Sequence, residues 1–463
     1  MKQSILAALI LLSLFCSACG GGNGTGSATT PPDGKSEWAW MGGSNIVNQP
    51  GAYGTLGTAA SSNVPGAREQ AISWIDASGS FWLFGGNGYD GVGTNGFLND
   101  LWKYNTGQWT WTGGSSLANQ PGIYGTQGVA SSSNVPGARN SEVRWLDSSG
   151  NLRLFGGGGY DASGTLGALN DLWEYSTGQW TWIGGSSLAN QAGTYGTQGQ
   201  AAPNNIPGGR FHSVNWIDKS GNFWLFGGNI QLNTGDLFLN DLWKYSGGEW
   251  TWMGGASVTN QPGVYGAQGS AAASNIPGSR EQAFAWTDPS GNFWLFGGNG
   301  YDSTGTYGFL NDLWEYSTTT GEWTWVGGSN VVNQSATYGT QGTPASDNNP
   351  GARNGGTSWT DASGNFWLFG GYFHNEASGV VDHFNDLWEY RSGQWTWVSG
   401  SNSPDQSGTY GTLGTPGSTT VPGARQYSVD WVDSSGNFWL FGGNAYDSTG
   451  NQGYINDLWK YEP

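Results

Sequence analysis

The chain has 463 residues, among them 83 glycines and 29 tryptophans, and its formal net charge is −18 at pH 7. This acidity argues against nucleic acid and anionic membrane surfaces as partners, because both repel a negatively charged protein. Aromatic residues make up 15% of the chain and charged residues only 10%. Such a composition indicates many short strands joined by turns, and it argues against disorder.

The N-terminus has the features of an export signal. Lys2 provides a positive charge, residues 5–15 are mostly apolar, and two small residues precede Cys19. The apolar run is too short to span a membrane as a helix. We therefore expect residues 1–18 to be removed on export.

The sequence Cys-Ser-Ala-Cys at 16–19, followed by three glycines, resembles a bacterial lipoprotein signal. The resemblance implies a lipid on Cys19 and a location in the cell envelope, at the outer membrane, in the periplasm or at the cell surface. Cys16 departs from the motif, which usually has leucine there, so plain secretion is the alternative. Residues 19–36 are rich in Gly, Ser, Thr and Pro and are predicted to be a flexible tether. Residues 37–463 are the predicted folded body, which has no cysteine and hence no disulfide.

One unit recurs six times along the folded body. Each copy has an apolar stretch closed by two glycines, then a polar loop, then the sequence Asp-Leu-Trp. The tryptophans of Asp-Leu-Trp lie 71, 70, 71, 74 and 71 residues apart, at Trp102, Trp173, Trp243, Trp314, Trp388 and Trp459. A regular period of this length indicates an array of one supersecondary unit.

Each unit contains four strand candidates, which in the first copy are 68–76, 81–86, 99–104 and 108–114. Short turns containing glycine separate the first strand from the second and the third from the fourth, as in antiparallel hairpins. No helical periodicity is present. The sequence therefore predicts an all-β fold, a β-propeller with four antiparallel strands in each of six blades.

The glycine pair after an apolar strand, with a tyrosine and a tryptophan on either side of a short turn, resembles the Kelch repeat. Tyr104 with Trp109 is one example, and the resemblance extends over all six units, which are about 20 residues longer than a Kelch unit. It implies a Kelch-type propeller similar to the central domain of galactose oxidase. The last unit lacks a fourth strand, while an unmatched strand stands at 37–42. We expect this N-terminal strand to complete the last blade and close the ring.

The predicted strand order places both long connections of each unit on one face of the propeller, and elaborated loops on a rigid scaffold usually carry binding. An arginine begins each innermost strand on that face, at Arg68, Arg139, Arg210, Arg280, Arg353 and Arg425. These six are candidates for binding an anionic group through their guanidinium forks. The alternative is that each arginine pairs with the aspartate of Asp-Leu-Trp, because six unneutralised charges would repel one another.

Tyrosines in the long connections are further ligand candidates, because their aromatic faces suit stacking on sugar rings. One lies in each connection between blades, at Tyr53, Tyr124, Tyr195, Tyr265, Tyr338 and Tyr410. The connections between second and third strands add Tyr89, Tyr160, Tyr301 and Tyr446. Packing within the loops is the alternative for all of these tyrosines.

Residues suited to catalysis or metal binding are few. His212 lies on a first strand, and His374 and His383 lie in the loop of the fifth unit beside Glu376 and Asp382. A metal site in that loop and two solvated histidines are both open readings, and we predict no metal, no cofactor and no catalytic residue. The copper radical chemistry of galactose oxidase needs a cysteine, which the folded body lacks.

These features predict a monomeric binding or interaction module whose ligand, a glycan or a protein, is taken on the long-loop face. Its contact with a membrane is expected through the lipid anchor only. The alternative is a sugar-acting enzyme of the mutarotase or epimerase kind, which the Kelch resemblance also implies. A non-repeating cluster of carboxylates and histidine would favour that enzyme. A structural or adhesive surface protein, acting through repeated weak contacts, is a third hypothesis.

Overall fold

The computed structural model describes residues 36–231, 237–375 and 378–463, and every regular element in these ranges is a β-strand. The predicted export signal at 1–18, the lipid site Cys19 and nearly all of the tether at 19–36 lie outside the described residues. The described residues belong to one unit, Ser36–Pro463. Within the described ranges, no helix is long and apolar enough to cross a membrane.

The first half of the chain contains seventeen strands. In order they are β1 (Trp38–Gly42), β2 (Arg68–Glu69), β3 (Ile72–Ile75), β4 (Phe81–Phe84), β5 (Asn87–Tyr89), β6 (Asn95–Phe97), β7 (Leu101–Asn105), β8 (Gln108–Gly113), β9 (Arg139–Asn140), β10 (Val143–Leu146), β11 (Leu152–Tyr160), β12 (Leu166–Ser176), β13 (Gln179–Gly184), β14 (Val214–Ile217), β15 (Phe223–Asn229), β16 (Phe238–Ser246) and β17 (Glu249–Gly254).

The second half continues the same pattern. Its strands are β18 (Arg280–Glu281), β19 (Phe284–Thr287), β20 (Phe293–Tyr301), β21 (Tyr307–Ser317), β22 (Glu322–Gly327), β23 (Thr357–Thr360), β24 (Phe366–Asn375), β25 (Val380–Arg391), β26 (Gln394–Ser399), β27 (Arg425–Gln426), β28 (Val429–Val432), β29 (Phe438–Phe441), β30 (Asn444–Tyr446), β31 (Gln452–Tyr454) and β32 (Leu458–Tyr461).

Across the described ranges these strands form eight antiparallel sheets. Six sheets contain four strands in succession, with the orders β3-β4-β7-β8, β10-β11-β12-β13, β14-β15-β16-β17, β19-β20-β21-β22, β23-β24-β25-β26 and β28-β29-β32-β1. Strands β9 and β18 add to the second and fourth of these, and β2-β5-β6 and β27-β30-β31 form two smaller sheets. The predicted all-β class and the antiparallel four-stranded repeat are confirmed, and the architecture is consistent with a β-propeller.

The N-terminal strand pairs with the C-terminal one. In the antiparallel pair of β1 and β32, Trp38 lies opposite Tyr461 and Trp40 lies opposite Trp459. The Trp38 ring is 3% exposed, and its centroid lies 5.1 Å from that of Phe369 in the preceding repeat. The first strand therefore supplies the fourth strand of the last sheet.

The core lies between neighbouring sheets and is largely aromatic. The six tryptophans of Asp-Leu-Trp are all 0% exposed, and each buried ring of this size removes roughly 150–250 Å² from water. The first and last repeats share one such core, in which Phe81 stacks on Trp431 with ring centroids 5.2 Å apart. The recurrence of the tryptophans thus follows from packing of one repeat against the next.

The glycine pair that follows the apolar part of each second strand lies where two repeats meet. Gly85 and Gly86 have φ angles of +68° and +96°, which residues with side chains rarely adopt. The Gly86 N–H donates to the Arg139 carbonyl of the next repeat at 2.8 Å, and a Cβ on Gly85 would lie 2.8 Å from the same oxygen. Gly443 makes the same bond from the last repeat to the Arg68 carbonyl of the first, also at 2.8 Å.

Deleting residues 37–42 removes the outer strand of the last sheet and exposes the edge of β32. We expect the otherwise full-length chain to lose its cooperative thermal transition in calorimetry. Trp38→Ala alone should cost about 3–5 kcal/mol, because it empties a buried aromatic site. Val92→Ser, at a position that is 73% exposed, is the control and should unfold at the wild-type temperature. A cooperative melt at an unchanged temperature after the deletion would contradict this role of β1.

Candidate functional site

The six arginines predicted as ligand candidates lie in buried ion pairs. In the first repeat, Arg68 contacts Asp100 through two bonds of 2.7 Å, Nη1 to Oδ1 and Nη2 to Oδ2. The same pairing joins Arg139 to Asp171, Arg210 to Asp241, Arg280 to Asp312, Arg353 to Asp386 and Arg425 to Asp457. Each arginine is at most 2% exposed and each of these aspartates is 0% exposed.

The tyrosines of the connections between repeats complete these pairs. The Tyr53 hydroxyl donates to Asp100 Oδ2 at 2.6 Å, and Trp102 Nε1 donates to the same oxygen at 2.7 Å. The equivalent tyrosine donors, at 2.6–2.8 Å, are Tyr124, Tyr195, Tyr265, Tyr338 and Tyr410. Burial, and then the charge of Asp100, raises the pKa of Tyr53, which keeps its hydroxyl a donor.

This arrangement favours pairing with aspartate for the arginines and packing within the loops for the tyrosines, which the sequence had left open as alternatives. The guanidinium forks are occupied by aspartates, and the tyrosine hydroxyls point into the same buried pairs. Four of the six tyrosines are less than 9% exposed, and Tyr195 and Tyr338 are half-buried. Ligand contact by these residues stays a prediction, and their burial argues against it.

The residues that stand two positions after each arginine in the sequence come together in the structure. There, six backbone N–H groups donate to six carbonyls in a closed cycle, with N···O distances of 2.6–3.4 Å. The cycle, which we call the polar ring, runs from Gln70 to Tyr427, Gly355, Gln282, His212, Ser141 and back to Gln70. Every repeat therefore contributes one residue to the polar ring.

The polar ring has an unusual backbone. Its five residues with side chains all have positive φ angles, from 54° for Gln282 to 60° for Tyr427. This left-handed conformation costs roughly 1–2 kcal/mol for each such residue, and strained backbone of this kind concentrates at functional sites. Ten other residues with side chains share this conformation in the described ranges, so it is the closed cycle together with the backbone that makes the polar ring a candidate site.

The polar ring does not follow the six-fold repeat of the scaffold. Residues three repeats apart are alike instead, with Gln70 matching Gln282, Ser141 matching the small Gly355, and His212 matching the aromatic Tyr427. The residues just before them continue this pattern in part, because Glu69 matches Glu281 and Asn140 matches Asn354. A scaffold of near-identical repeats thus carries a ring with an approximate two-fold pattern.

His212 is held in one orientation by its neighbours. Its Nδ1 lies 2.8 Å from Glu281 Oε2, and its Nε2 lies 2.9 Å from the side-chain nitrogens of both Gln70 and Gln282. The Gln282 nitrogen also lies 3.0 Å from Nδ1. An amide nitrogen can only donate, so the bond from Gln70 makes Nε2 an acceptor in the tautomer whose Nδ1–H donates to Glu281.

Tyr427 faces His212 from the other side of the polar ring. The two rings are parallel within 8° with centroids 6.3 Å apart. The carboxamide oxygen of Gln282 accepts hydrogen bonds from the Tyr427 hydroxyl at 2.8 Å and from Asn354 at 2.6 Å. Burial, followed by the negative charges of Glu281 and Glu69, raises the pKa of Tyr427 well above its usual value.

Two buried glutamates near the polar ring have raised pKa values. Burial raises the pKa of Glu69 to about 7, against the lowering effect of hydrogen bonds from Tyr454 and Asn87. Burial raises the pKa of Glu142 to about 8, and both of its carboxyl oxygens lack a hydrogen-bond partner in the protein. The other repeats have only alanine, serine or glycine where Glu142 stands.

Hairpins formed by the second and third strands rise directly beside the polar ring. Asn354 and Tyr372 exchange backbone hydrogen bonds of 3.0 and 2.9 Å, which joins the ring to the hairpin of the fifth repeat. Half-buried aromatic side chains on the hairpins touch their neighbours, for example Tyr89 with Tyr454, whose ring centroids lie 6.2 Å apart. The hairpin tyrosines of the sequence analysis, Tyr89, Tyr160, Tyr301 and Tyr446, are all half-buried.

The loop of the fifth repeat forms a hairpin in which the residues considered for a metal site are divided. In its register His383 pairs with Tyr372 and Asp382 pairs with Phe373, so His383 and Asp382 point to opposite faces. Glu376 lies outside the described residues. Within the described ranges there is no group of three His, Cys, Asp or Glu side chains that could hold a metal ion.

The sequence analysis missed the polar ring although the sequence carried a signal for it. The residue two positions after each arginine varies among Gln, Ser, His, Gly and Tyr, while the arginine before it and a tryptophan four residues after it recur in every repeat. His212 was noticed only as a residue of a first strand. Its partner Glu281 lies 69 residues away, one repeat further on.

Glu142 gives the site a testable dependence on pH. The carboxyl titrates near pH 4.5 when unperturbed and near pH 8 in the folded chain, so between these values the folded state holds the extra proton and stability falls as pH rises. Glu142→Gln removes this effect. Its free energy of unfolding should match wild type at pH 4 and exceed it at pH 9, by roughly 1–4 kcal/mol.

Denaturant titrations at pH 4, 6.5 and 9 measure this difference. Glu142→Ser, which introduces the residue found at this position in the third repeat as Ser213, should show the same trend. A difference from wild type that stays constant with pH would contradict the buried, unpaired state of Glu142.

Comparison with known proteins supports the fold. No protein-family profile and no curated protein sequence matches the chain. The solved structure of YjhT is similar to it, with a TM-score of 0.50 and 14% sequence identity over 85% of this chain and 95% of that chain. At this level of identity the similarity bears on the fold alone, and it is consistent with a β-propeller.

Proposed function

We propose that the six four-stranded sheets are the blades of a closed six-bladed Kelch-type propeller. Three observations support closure: β1 pairs with β32, the first and last repeats share a core, and the polar ring passes through every repeat and returns to its start. The glycine pairs that contact the next repeat support the Kelch resemblance. On this proposal the polar ring surrounds the propeller axis.

We infer from the sequence that the propeller is exported and held in the cell envelope by a lipid on Cys19. Residues 1–18 are the export signal and residues 19–36 the tether in this proposal, which rests on the resemblance to a lipoprotein signal. Plain secretion is the alternative. In either case the propeller acts outside the cytoplasm.

We propose that the protein is a binding module that takes a glycan or a protein on the face carrying the hairpins. The observation that carries this proposal is the polar ring, a non-repeating and half-buried polar cluster in an otherwise repetitive scaffold. A repeated scaffold has no packing reason to vary these six positions. The polar ring forms the floor of the site and the hairpin tyrosines form its walls.

Among these ligands the chemistry of the site favours a carbohydrate. Amide, carboxyl and imidazole groups line the floor, and the half-buried tyrosine rings of the walls provide apolar faces beside them. Sugars present hydroxyl groups and apolar ring faces together, so a sugar can contact both the polar floor and the tyrosine walls. The arginines are already paired with aspartates, which argues against recognition of a carboxylate by guanidinium groups.

A second candidate function is a sugar-acting enzyme. The specific observation that favours it is the pair formed by His212 and Glu281, in which a carboxyl group orients an imidazole whose Nε2 can accept a proton. This arrangement suits general base catalysis. The cluster is the non-repeating combination of histidine and carboxylate that the sequence analysis set as the condition for an enzyme.

Binding is tested by applying the purified full-length chain to an array of glycans. Tyr89→Ala and Tyr446→Ala should each weaken binding about 3- to 10-fold, because a stacking ring contributes on the order of 1 kcal/mol. Tyr245→Ala is the matched control, since Tyr245 is also a half-buried tyrosine but lies at the end of β16 near the short turn. Equal losses in the control and hairpin variants, or a blank array, would overturn the proposal of a glycan on this face.

Catalysis is tested on the sugar that the array identifies, by following its proton NMR spectrum in the presence of the protein. For an enzyme we expect His212→Asn to slow conversion by at least 100-fold while binding changes much less, because general bases contribute rate factors of about 10²–10⁴. A sugar spectrum that the wild-type protein leaves unchanged would remove the enzyme as a candidate.

A further inference from the structure

The polar ring is surrounded by oxygen acceptors that have no partner in the protein. Three belong to side chains that are less than 9% exposed: Glu69 Oε2, Asn299 Oδ1 and Asn354 Oδ1. The Gln426 Oε1 atom is a fourth. A buried acceptor without a donor carries a desolvation cost, so these atoms point to a ligand that brings hydrogen-bond donors.

Two glutamates lie next to residues of the polar ring, since Glu281 contacts His212 and Glu69 directly precedes Gln70. The charges of Glu69 and Glu281 both act on the Tyr427 hydroxyl, although they come from the first and fourth repeats. Asn299 lies opposite Glu281 in the strand register, and Asn354 donates to the carboxamide that also receives the Tyr427 hydroxyl. The unpartnered oxygens and the two glutamates thus belong to residues in or next to the polar ring.

Within the described residues, no lysine or arginine pairs with these carboxyls. The ion pairs there join Glu281 to His212 alone, and none involves Glu69. The nearby arginines, one residue before each glutamate, are bound to Asp100 and Asp312. The site thus combines negative charge, unused acceptors and an aromatic ring.

We propose that the polar ring binds the ammonium group of a small organic amine, with amino sugars as the ligand class. Glu69 and Glu281 supply the counter-charge, the amide oxygens of Asn299 and Asn354 accept the ammonium protons, and the Tyr427 ring offers its face to the cation. This inference rests on the proposed function, since it names the ligand class of the same site. It selects a cationic ligand where the sequence had suggested an anionic one.

The proposal includes a dependence on pH. The Tyr454 hydroxyl donates to Glu69, and the charge of Glu69 acts on the Tyr427 hydroxyl. Burial raises the pKa of both tyrosines, so both stay protonated below pH 9. Because Glu69 titrates near pH 7 in the free protein, the ammonium group must displace a proton from it at lower pH. Affinity for 6-amino-6-deoxyglucose, whose amine is more basic than that of glucosamine, should therefore rise between pH 5.5 and 8, with release of up to one proton on binding below pH 7.

Isothermal titration of the purified full-length chain with four matched hexoses tests the inference. The probes are glucosamine, 6-amino-6-deoxyglucose, glucose and glucuronate, at pH 7 and low salt. We expect at least one amino sugar to bind 10-fold or more tightly than glucose, and glucuronate to bind most weakly. Titrations of 6-amino-6-deoxyglucose in two buffers with different ionisation enthalpies count the protons released.

Two isosteric variants separate a charge effect from a folding effect. Glu69→Gln should reduce the preference for the amino sugar over glucose by at least 5-fold and abolish proton release, while its melting temperature at pH 5 matches wild type. Glu322→Gln, at the start of β22 near the short turn, is the matched control and should keep both the preference and the proton release.

The outcomes distinguish this inference from the proposed function. Glucose binding as tightly as both amino sugars, or glucuronate binding best, would overturn the amine site while leaving a glycan-binding module in place. An unchanged preference in Glu69→Gln would also overturn it. If none of the four probes binds while the glycan array shows saturable binding, the amine site is overturned but the proposed function is not. A blank array overturns the proposed function as well.

Discussion

The buried pairing of arginine with aspartate is the interaction on which each repeat depends. In the first repeat Asp100 accepts from Arg68, Tyr53 and Trp102, so one carboxylate joins the innermost strand, the third strand and the connection between repeats. Removing one partner of such a buried pair typically costs about 3–5 kcal/mol, because the other charge is left uncompensated. Six copies of this constraint explain why the arginine, aspartate, tyrosine and tryptophan recur in every repeat.

Because the scaffold neutralises its own charges, the residues next to each arginine are free to differ. The polar ring occupies these positions, and its backbone cycle holds together side chains from all six repeats. The left-handed backbone of residues such as His212 and Tyr427 is tolerated because neighbouring repeats fix both ends of each segment. The arginines are fixed in the repeated scaffold, whereas the residues of the polar ring vary. Ligand specificity is therefore expected from the polar ring rather than from the arginines.

Much of the fold could be predicted from the sequence. The 70-residue period, the glycine pairs and the unmatched strand at 37–42 predicted the antiparallel sheets and the pairing of β1 with β32, because these signals are local or repeated. The candidate site was predicted less well. Arginine pairing with aspartate was weighed as the alternative for Arg68 and its equivalents. For the loop tyrosines only packing within the loops was weighed, because the partner of Tyr53, Asp100, lies 47 residues away.

The sequence by itself determined the repeat, the strand pattern and the acidity of this protein, since these follow from composition and periodicity. Only the tertiary structure decided which polar groups are hydrogen-bonded within the scaffold and which remain available to a ligand. Burial and hydrogen bonding depend on residues roughly one repeat apart, as with His212 and Glu281, or on opposite repeats, as with His212 and Tyr427. Such contacts leave no local pattern, because each residue has an ordinary neighbourhood in the chain and acquires its partners only when the sheets pack together.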